Sequence, residues 1–600
     1  MPYYPPTISD ESDWAPQGID GISQHILSHR NLNAQLPIPS LPDELLCHIF
    51  LQYIVSFKVD DDYDYESDDY APPSSSSNAS RDFFDVEDNV QWKGPKTEEG
   101  IPFWVWWLIL TRVCHRWRII VLSTAELWSQ LDPRVCRRPE VVKKFISRSR
   151  SACLDVTMTS RFSEQIPGYL QDSLQEILHE SSRIRSLDVE CPFSQSTLES
   201  GVLDAVNGPF SELRSLTLYG LTEDEPSILP LVLHETPRYL THIVLCRIHL
   251  DWATSFINLP SSVTHLSITL WGDSYLSTKS SGALGDVVAA LRKLPKLEQL
   301  HLNYALPDPW QEIPSEVFIP SVELHRLEEL FLEDTSTSCA FPLFQRLVFP
   351  STCRVKSKVT LALKEHPLPT IFSCAFSKIS SSPRRVTRMS INILYTMIII
   401  DGCMDTCQCF TQAIRDTSIQ HQSQFVFEFM PCEEVPVPEA WRHLLEAIGP
   451  SLFSSLKDLN ISPTPELSAA AVRGLLRRAT QVEYLTISQE FIPLAEALLD
   501  ETSDDAAIVP RLKELKILFE PYLYNTDKLS SDLGLLCTAL EKRKARGHGL
   551  SRFTVFSYTK VVISEHIRTR ILATVPDYEE KFLDVMYRAV PMPEQLSGTV

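Results

Sequence analysis

Asp60, Asp62 and Asp64 stand at alternate positions, the spacing at which an EF-hand loop begins to deliver carboxylate oxygens to calcium. The pattern then fails, because the sixth place is Tyr65 where the turn needs glycine and the twelfth is Ala71 where a glutamate belongs. Cys403, Cys407 and Cys409, with His421 beyond, offer ligands for zinc, but structural zinc sites bring two separated pairs and the second pair is missing. That segment reads as a strand-to-helix turn with ordinary buried cysteines. No GxSxG, GxxxxGK[ST], HExxH or GxGxxG occurs, and 18 glycines leave little scope for phosphate-cradling loops. The expectation is therefore no catalytic residue, no metal and no cofactor, in a protein that positions others rather than an enzyme.

Charge narrows the partners. The 600 residues carry a formal charge of −22, which disfavours nucleic acid and anionic membranes because a phosphate surface must be met by Lys and Arg. The dense basic run, EKRKARGHG at 541–549, follows the apolar pattern SDLGLLCTAL; it suits the negative end of a helix with Gly547 as its stop, or alternatively a nuclear import signal. MPYYPPTISDESDWAPQGID has neither a basic nor an apolar leader region, so an intracellular protein, cytoplasmic or nuclear, is expected. The 14 scattered cysteines then act as small buried hydrophobes. FWVWWLIL, residues 103–110, is a core helix rather than a membrane span, since a span needs about twenty apolar residues.

The elements that must position any site begin after a Pro-, Ser- and Asp-rich arm over residues 1–36. Pro42 suits a first helical turn, Asp43 and Glu44 complement the helix dipole, and Leu45, Leu46, Ile49 and Phe50 make an apolar stripe. The helix then runs into DDDYDYESDD, with seven carboxylates in ten residues, followed by APPSSSSNAS. Self-repulsion and the lack of aliphatic residues predict a disordered insertion over about 58–100, passive or open to phosphorylation at Ser67 and Ser74 to Ser77. Apolar order returns with two helices in 103–131, and Ser123 or Thr124 is placed to cap a last turn carrying Leu127 and Trp128.

Beyond residue 133 one pattern recurs: apolar, two residues, apolar, one residue, apolar. It reads IRSLDV (184–189), LRSLTL (213–218), LTHIVL (240–245), VTHLSI (263–268), LEQLHL (297–302) and LEELFL (327–332), then LKDLNI (456–461), VEYLTI (482–487) and LKELKI (512–517). The first six copies are 29, 27, 23, 34 and 30 residues apart, near the period of leucine-rich repeats. Helical patterns lie between them at 283–294, 467–479 and 492–499. A strand and a helix every few tens of residues cannot bury their faces alone, so stacked neighbours are required. Between 335 and 450 the pattern weakens, and KVTLAL (358–363), RMSINIL (388–394) and QFVFEF (424–429) are assigned as further strands of one array.

LPDELLCHIF at 41–50, paired with VCHRWRIIVLSTAELW at 113–128, resembles an F-box, and more narrowly the F-box-like family abundant in mushroom-forming fungi. The resemblance implies a small helical module over 37–132 that binds the Skp adaptor of a cullin-RING ubiquitin ligase. It also implies a leucine-rich-repeat-like domain over 133–600 that recruits a protein substrate, an α+β or α/β solenoid overall. Carried over by position, Leu41, Pro42, Glu44, Leu45, Leu46, Ile49 and Phe50, with Val113, Cys114, Trp117, Leu127 and Trp128, face the adaptor or knit the module, and Trp128 also closes the module onto the repeats. The chain departs from the family in two ways: the module is interrupted by roughly fifty residues, a modest closure cost by the logarithmic rule, and the repeats lack the usual Asn or Cys after the strand. The alternative is an interaction scaffold whose helices only cap the array. A cap buries Leu45, Leu46 and Ile49, whereas a docking module leaves an apolar patch in water.

Overall fold

The structure is a computed structural model that describes residues 41–57, 110–159, 168–191, 210–220, 228–229, 237–256, 259–270, 282–307, 320–334, 337–361, 386–394, 397–404, 425–431, 441–444, 446, 450–462, 467–488, 491–499, 507–519, 526–557 and 563–582. The predicted arm, the acidic insertion, FWVWWLI at 103–109, Cys407, Cys409 and His421 lie outside these residues. The chain divides into two compact units, one of Met1–Met158 with Pro167–Arg185, the other of Thr159–Ile166 with Ser186–Val600. The first unit thus runs past residue 132 and takes in the next helices.

In the first unit α1 (Asp43–Phe57) is followed by α2 (Leu110–Val113), α3 (His115–Ser123) and a 3-10 turn at Ala125–Trp128. Two short strands, β1 (Gln130–Leu131) and β2 (Leu154–Thr159), pair in parallel around α4 (Pro133–Cys136) and α5 (Pro139–Ser149), and α6 (Gly168–Leu178) completes the unit. The fold of α5 is written in its faces. Val142, Phe145 and Ser149 are buried at helical spacing, and Pro139 at its start gives up an N–H that has no partner there anyway.

The second unit is mixed α/β, built on a large and mostly parallel sheet. Its strands are β3 (Ile184–Cys191), β4 (Ser215–Gly220), β5 (His242–Cys246), β6 (His265–Thr269), β7 (Gln299–Asn303), β8 (Glu329–Asp334), β9 (Arg354–Leu361), β10 (Val386–Leu394), β11 (Met397–Met404), β12 (Phe425–Pro431), β13 (Asp458–Ser462), β14 (Tyr484–Ser488), β15 (Glu514–Phe519), β16 (Arg552–Ser557) and β17 (Asp577–Phe582). All nine copies of the sequence pattern become strands. In each, the first, fourth and sixth residues are buried, from Ile184, Leu187 and Val189 to Leu512, Leu515 and Ile517.

Register aligns these columns. Leu216 pairs with Leu187 and with Ile243, Leu266 with Ile243 and Leu300, and Leu485 with Leu459 and Leu515. Each buried Leu or Ile is worth about 1.5–3 kcal/mol relative to exposure, but only when the neighbouring strand is present to cover it. The backbone repeats the same dependence. The carbonyl of Thr241 accepts from the amides of Thr264 and His265, that of Thr264 from Glu298 and Gln299, and that of Glu298 from Glu328 and Glu329.

The order follows the chain from β3 to β9 and from β13 to β17, but not between. β9 pairs with β12, β12 with β11, β11 with β10 and β10 with β13, and β11 alone among these runs antiparallel. The three strands assigned in this region from sequence are present as β9, β10 and β12, while β11, MIIIDGCM, went unread. Gly402 is required there: a Cβ would lie 2.7 Å from the Arg388 carbonyl oxygen and closer still to the Phe425 ring. The predicted helices are α7 (Leu284–Arg292), α8 (Ala469–Arg478) and α9 (Ile492–Leu499), and the EKRKA run closes α10 (Thr526–Ala545), ahead of α11 (Glu565–Thr574).

Candidate functional site

The α1 stripe splits in two. Leu46 and Phe50 are buried to 1% exposure, whereas Leu45 and Ile49, one position earlier on the same turns, are each 44% exposed. Residues four apart lie side by side on a helix, so the first pair is core and the second pair faces water. Pro42 and Glu44 are exposed and Leu41 is half-buried. The Pro42 carbonyl accepts from the Leu46 amide at 3.1 Å, which anchors the first turn.

α3 supplies the other half. Cys114 is its N-cap, with Sγ accepting from the Trp117 amide at 3.4 Å. Trp117, half-buried, meets Phe50 edge to face with ring centroids 4.8 Å apart. Arg116 donates through Nε to Asp43 Oδ1 at 2.9 Å and through a terminal nitrogen to the Leu41 carbonyl. Cys47 Sγ and Thr124 Oγ1 are 3.1 Å apart. Thr124 does precede the turn that carries Leu127 and Trp128, but its hydroxyl makes no cap: it turns back to the Ile120 carbonyl at 2.7 Å. Thus the expected cap is replaced by a back-bond that also meets Cys47.

Leu127 and Trp128 are buried. Trp128 donates from Nε1 to the Val121 carbonyl at 3.1 Å, rests its ring edge on Phe145 at 5.0 Å, and carries the Arg148 guanidinium 4.3 Å from its ring centroid. Burial holds that guanidinium below the ordinary arginine range. Trp128 therefore locks α3 to α5 inside the first unit. The exposed set is completed by Val113 at 43% and by Ile119 at 53%, which was not among the residues expected from sequence. Ile119 is followed by Ile120 and Val121, both buried, and a run of three aliphatics does not reveal which one faces out.

The second surface is the outward face of the parallel sheet. Alternation puts Ser186, Asp188 and Glu190 on β3, Ser215, Thr217 and Tyr219 on β4, His242, Val244 and Cys246 on β5, and His265, Ser267 and Thr269 on β6 on that face. His242 and His265 stack at 4.1 Å with planes 16° apart, and each Nδ1 is hydrogen-bonded to the preceding threonine, Thr241 at 2.8 Å and Thr264 at 2.7 Å. Burial, then the neighbouring His265, holds His242 below the usual imidazole range. Burial, then Glu190, pushes the Asp188 carboxyl up to about 6. Further along, the face is internally paired: Glu329 with Arg354 at 3.8 Å and Glu333 with Lys358 at 2.7 Å.

Among the described residues no group of three or more His, Cys, Asp or Glu is placed to hold a metal ion, and no helix is long and apolar enough to cross a membrane. Cys403 is buried within β11 rather than in a turn. The basic run is partly structural: Arg543 is buried and donates to the carbonyls of Ile508 and Val509, each at 2.5 Å, and Gly547 stops the helix at a φ of 85°. Comparison with protein-family models and with curated proteins finds no match for this chain.

Proposed function

We propose that the chain is a non-catalytic substrate receptor: α1 to α3 form an interrupted F-box-like module that docks on a Skp adaptor of a cullin-RING ubiquitin ligase, and the parallel array is an irregular leucine-rich-repeat-like solenoid that holds the protein to be modified. The observation that carries the first part is the division of the α1 stripe. A cap would cover Leu45 and Ile49 as it covers Leu46 and Phe50; instead both sit 44% exposed. Exposed aliphatic side chains grouped on a small helical unit are the mark of a surface that another protein covers. In the second part, each strand buries its apolar triplet inward and turns small, aromatic and charged residues outward. Nothing in this arrangement needs a reacting group, since holding a substrate lysine near a charged ubiquitin carrier raises its effective concentration.

Affinity capture of the full chain, read by mass spectrometry, tests this reading. Recovery of a Skp adaptor and a cullin with wild type, and their loss together when Leu45 and Ile49 are changed to Asp, is the expected result. Retention of both subunits by the variant, or their absence from the wild-type capture, would leave the scaffold reading in place.

A further inference from the structure

β5 and β6 enter the sheet through matched Thr-His pairs. The Thr241 hydroxyl donates to the Arg214 carbonyl at 3.1 Å and the Thr264 hydroxyl to the Thr241 carbonyl at 3.3 Å, and each of these carbonyls also accepts the entering amides of the same strand. A hydroxyl has one proton to give, so each threonine oxygen accepts from its histidine, at 2.8 Å and 2.7 Å. Both imidazoles therefore carry their hydrogen on Nδ1, and an added proton must go to Nε2. Register sets His242 directly opposite His265, and the rings stack with centroids 4.1 Å apart. One edge of the stack is thus tied to the sheet through Nδ1, and the other is the edge that titrates.

The neighbours of the pair offer little relief. β4 places Ser215 opposite His242 and β7 places Gln299 opposite His265, neither of them charged, while Arg214 stands exposed in the turn before β4. Burial and the His265 ring hold His242 below the ordinary 6.5, outweighing Glu298 in the turn before β7, which favours its proton. The next imidazole on the face, His301, lies 3.9 Å from Glu329 and is held down by burial first, with Glu329 opposing and His265 adding to the effect. One proton leaves an imidazolium on a neutral ring, which the stack can keep. A second puts like charges 4.1 Å apart across two strands.

We infer that the His242–His265 stack is an acid-sensitive seam of the array: it keeps one added proton, and the second drives the rings apart and pulls on the threonine bonds that stitch the entry of β5 and of β6 to the strand before each. The seam does not depend on the receptor reading above. An unfolded chain takes up the His242 proton near 6.5 and the stacked ring only at lower pH, so the seam's stability is full above about that pH and is lost as pH falls below it. Asp188 on β3 has the opposite sign, since its raised carboxyl gains favour in acid, so a loss confined to β5 and β6 does not come from that group.

The test is amide hydrogen exchange on the full chain in dilute solution at about pH 8 and about pH 5.5, read by mass spectrometry and corrected for the intrinsic exchange rate. Protection at 242–246 and 265–269 is expected to fall about tenfold or more in acid, while β14 and β15 keep theirs. H242Q and H265Q each leave a single ring beside an uncharged amide, and the fall should shrink to less than about threefold in both strands. H566A removes an exposed imidazole on α11 and should retain the wild-type response. No fall in wild type, an equal fall at β14 and β15, a fall that persists in H242Q and H265Q, or its loss in H566A overturns the inference. Should one glutamine variant fail to fold, the other decides, and should both fail, the contrast between β5–β6 and β14–β15 in wild type decides.

Discussion

Arg116 closes onto Asp43 across 73 positions of sequence, with its terminal nitrogen 2.5 Å from the carboxylate. Together with its bond to the Leu41 carbonyl, this ties the start of α1 to the start of α3 and makes one unit from two distant segments. Both side chains are largely in water, at 37% and 63% exposure, so the pair is worth no more than about 1 kcal/mol. Arg116→Ala should therefore leave global stability nearly intact while speeding amide exchange at 43–50. Unchanged exchange there would show that the Phe50–Trp117 and Cys47–Thr124 contacts hold the halves together without it.

The division of the α1 stripe makes a sharper forecast. Phe50→Ala removes a buried ring packed on Trp117 and should cost about 3–5 kcal/mol, and Leu46→Ala about 2–5 kcal/mol. Leu45→Ala and Ile49→Ala, at exposed positions, should stay within about 0.5 kcal/mol. Urea unfolding followed by a reporter in the first unit reads all four. Equal losses across the set would mean that the exposed pair is covered.

Gly402 tests the reversed segment of the sheet. Gly402→Ala places a methyl against the Phe425 ring on one flanking strand and the Arg388 carbonyl on the other, and that carbonyl, being backbone, cannot withdraw without disturbing the pairing. Overpacking of this kind costs about 1–3 kcal/mol. A thermal melt should show the second unit weakened, and an unchanged melt would argue against the β10–β11–β12 arrangement.

Asp188 gives a pH dependence with a definite sign. Its folded pKa of about 6 lies above the ordinary value of 3.8, so the native state holds its proton more tightly and its contribution becomes less favourable as pH rises from about 4 to about 6. Asp188→Asn should accordingly stabilise the second unit at pH 8. Discounted for solvent screening of a partly exposed group, the gain is about 1 kcal/mol, and it should vanish below about pH 4. A gain that persists at pH 3.5, or none at pH 8, contradicts the assignment of burial and Glu190 as causes.

Much of this architecture was legible because apolar spacing is a direct image of register: a residue triplet at positions one, four and six can be buried only by a strand entered from a turn. The same rule in fact covers Leu550, Phe553 and Val555 of LSRFTV, buried in and before β16, a further copy that the sequence reading passed over. β11 escaped for a different reason. Its core residues, Ile398 and Ile400, sit in a continuous aliphatic run, where strand and helix look alike and direction leaves no trace. β17 escaped because DYEEKF is polar. At the candidate site, the type and place of Leu45 through Phe50 were plain, but which of them faced water depended on α3 arriving from residue 115 onward, a tertiary fact. The stacked histidines were likewise present as Thr-His in two consecutive copies, and only the pairing of β5 with β6 brings them together.

The central claim is that Leu45 and Ile49 are held in water for a partner, and calorimetric titration of a purified Skp adaptor into the full chain tests it most directly. Saturable binding to wild type, lost in L45D/I49D with an unchanged melting temperature, is the predicted result. Binding of equal strength by the variant, or no heat with wild type, would contradict it.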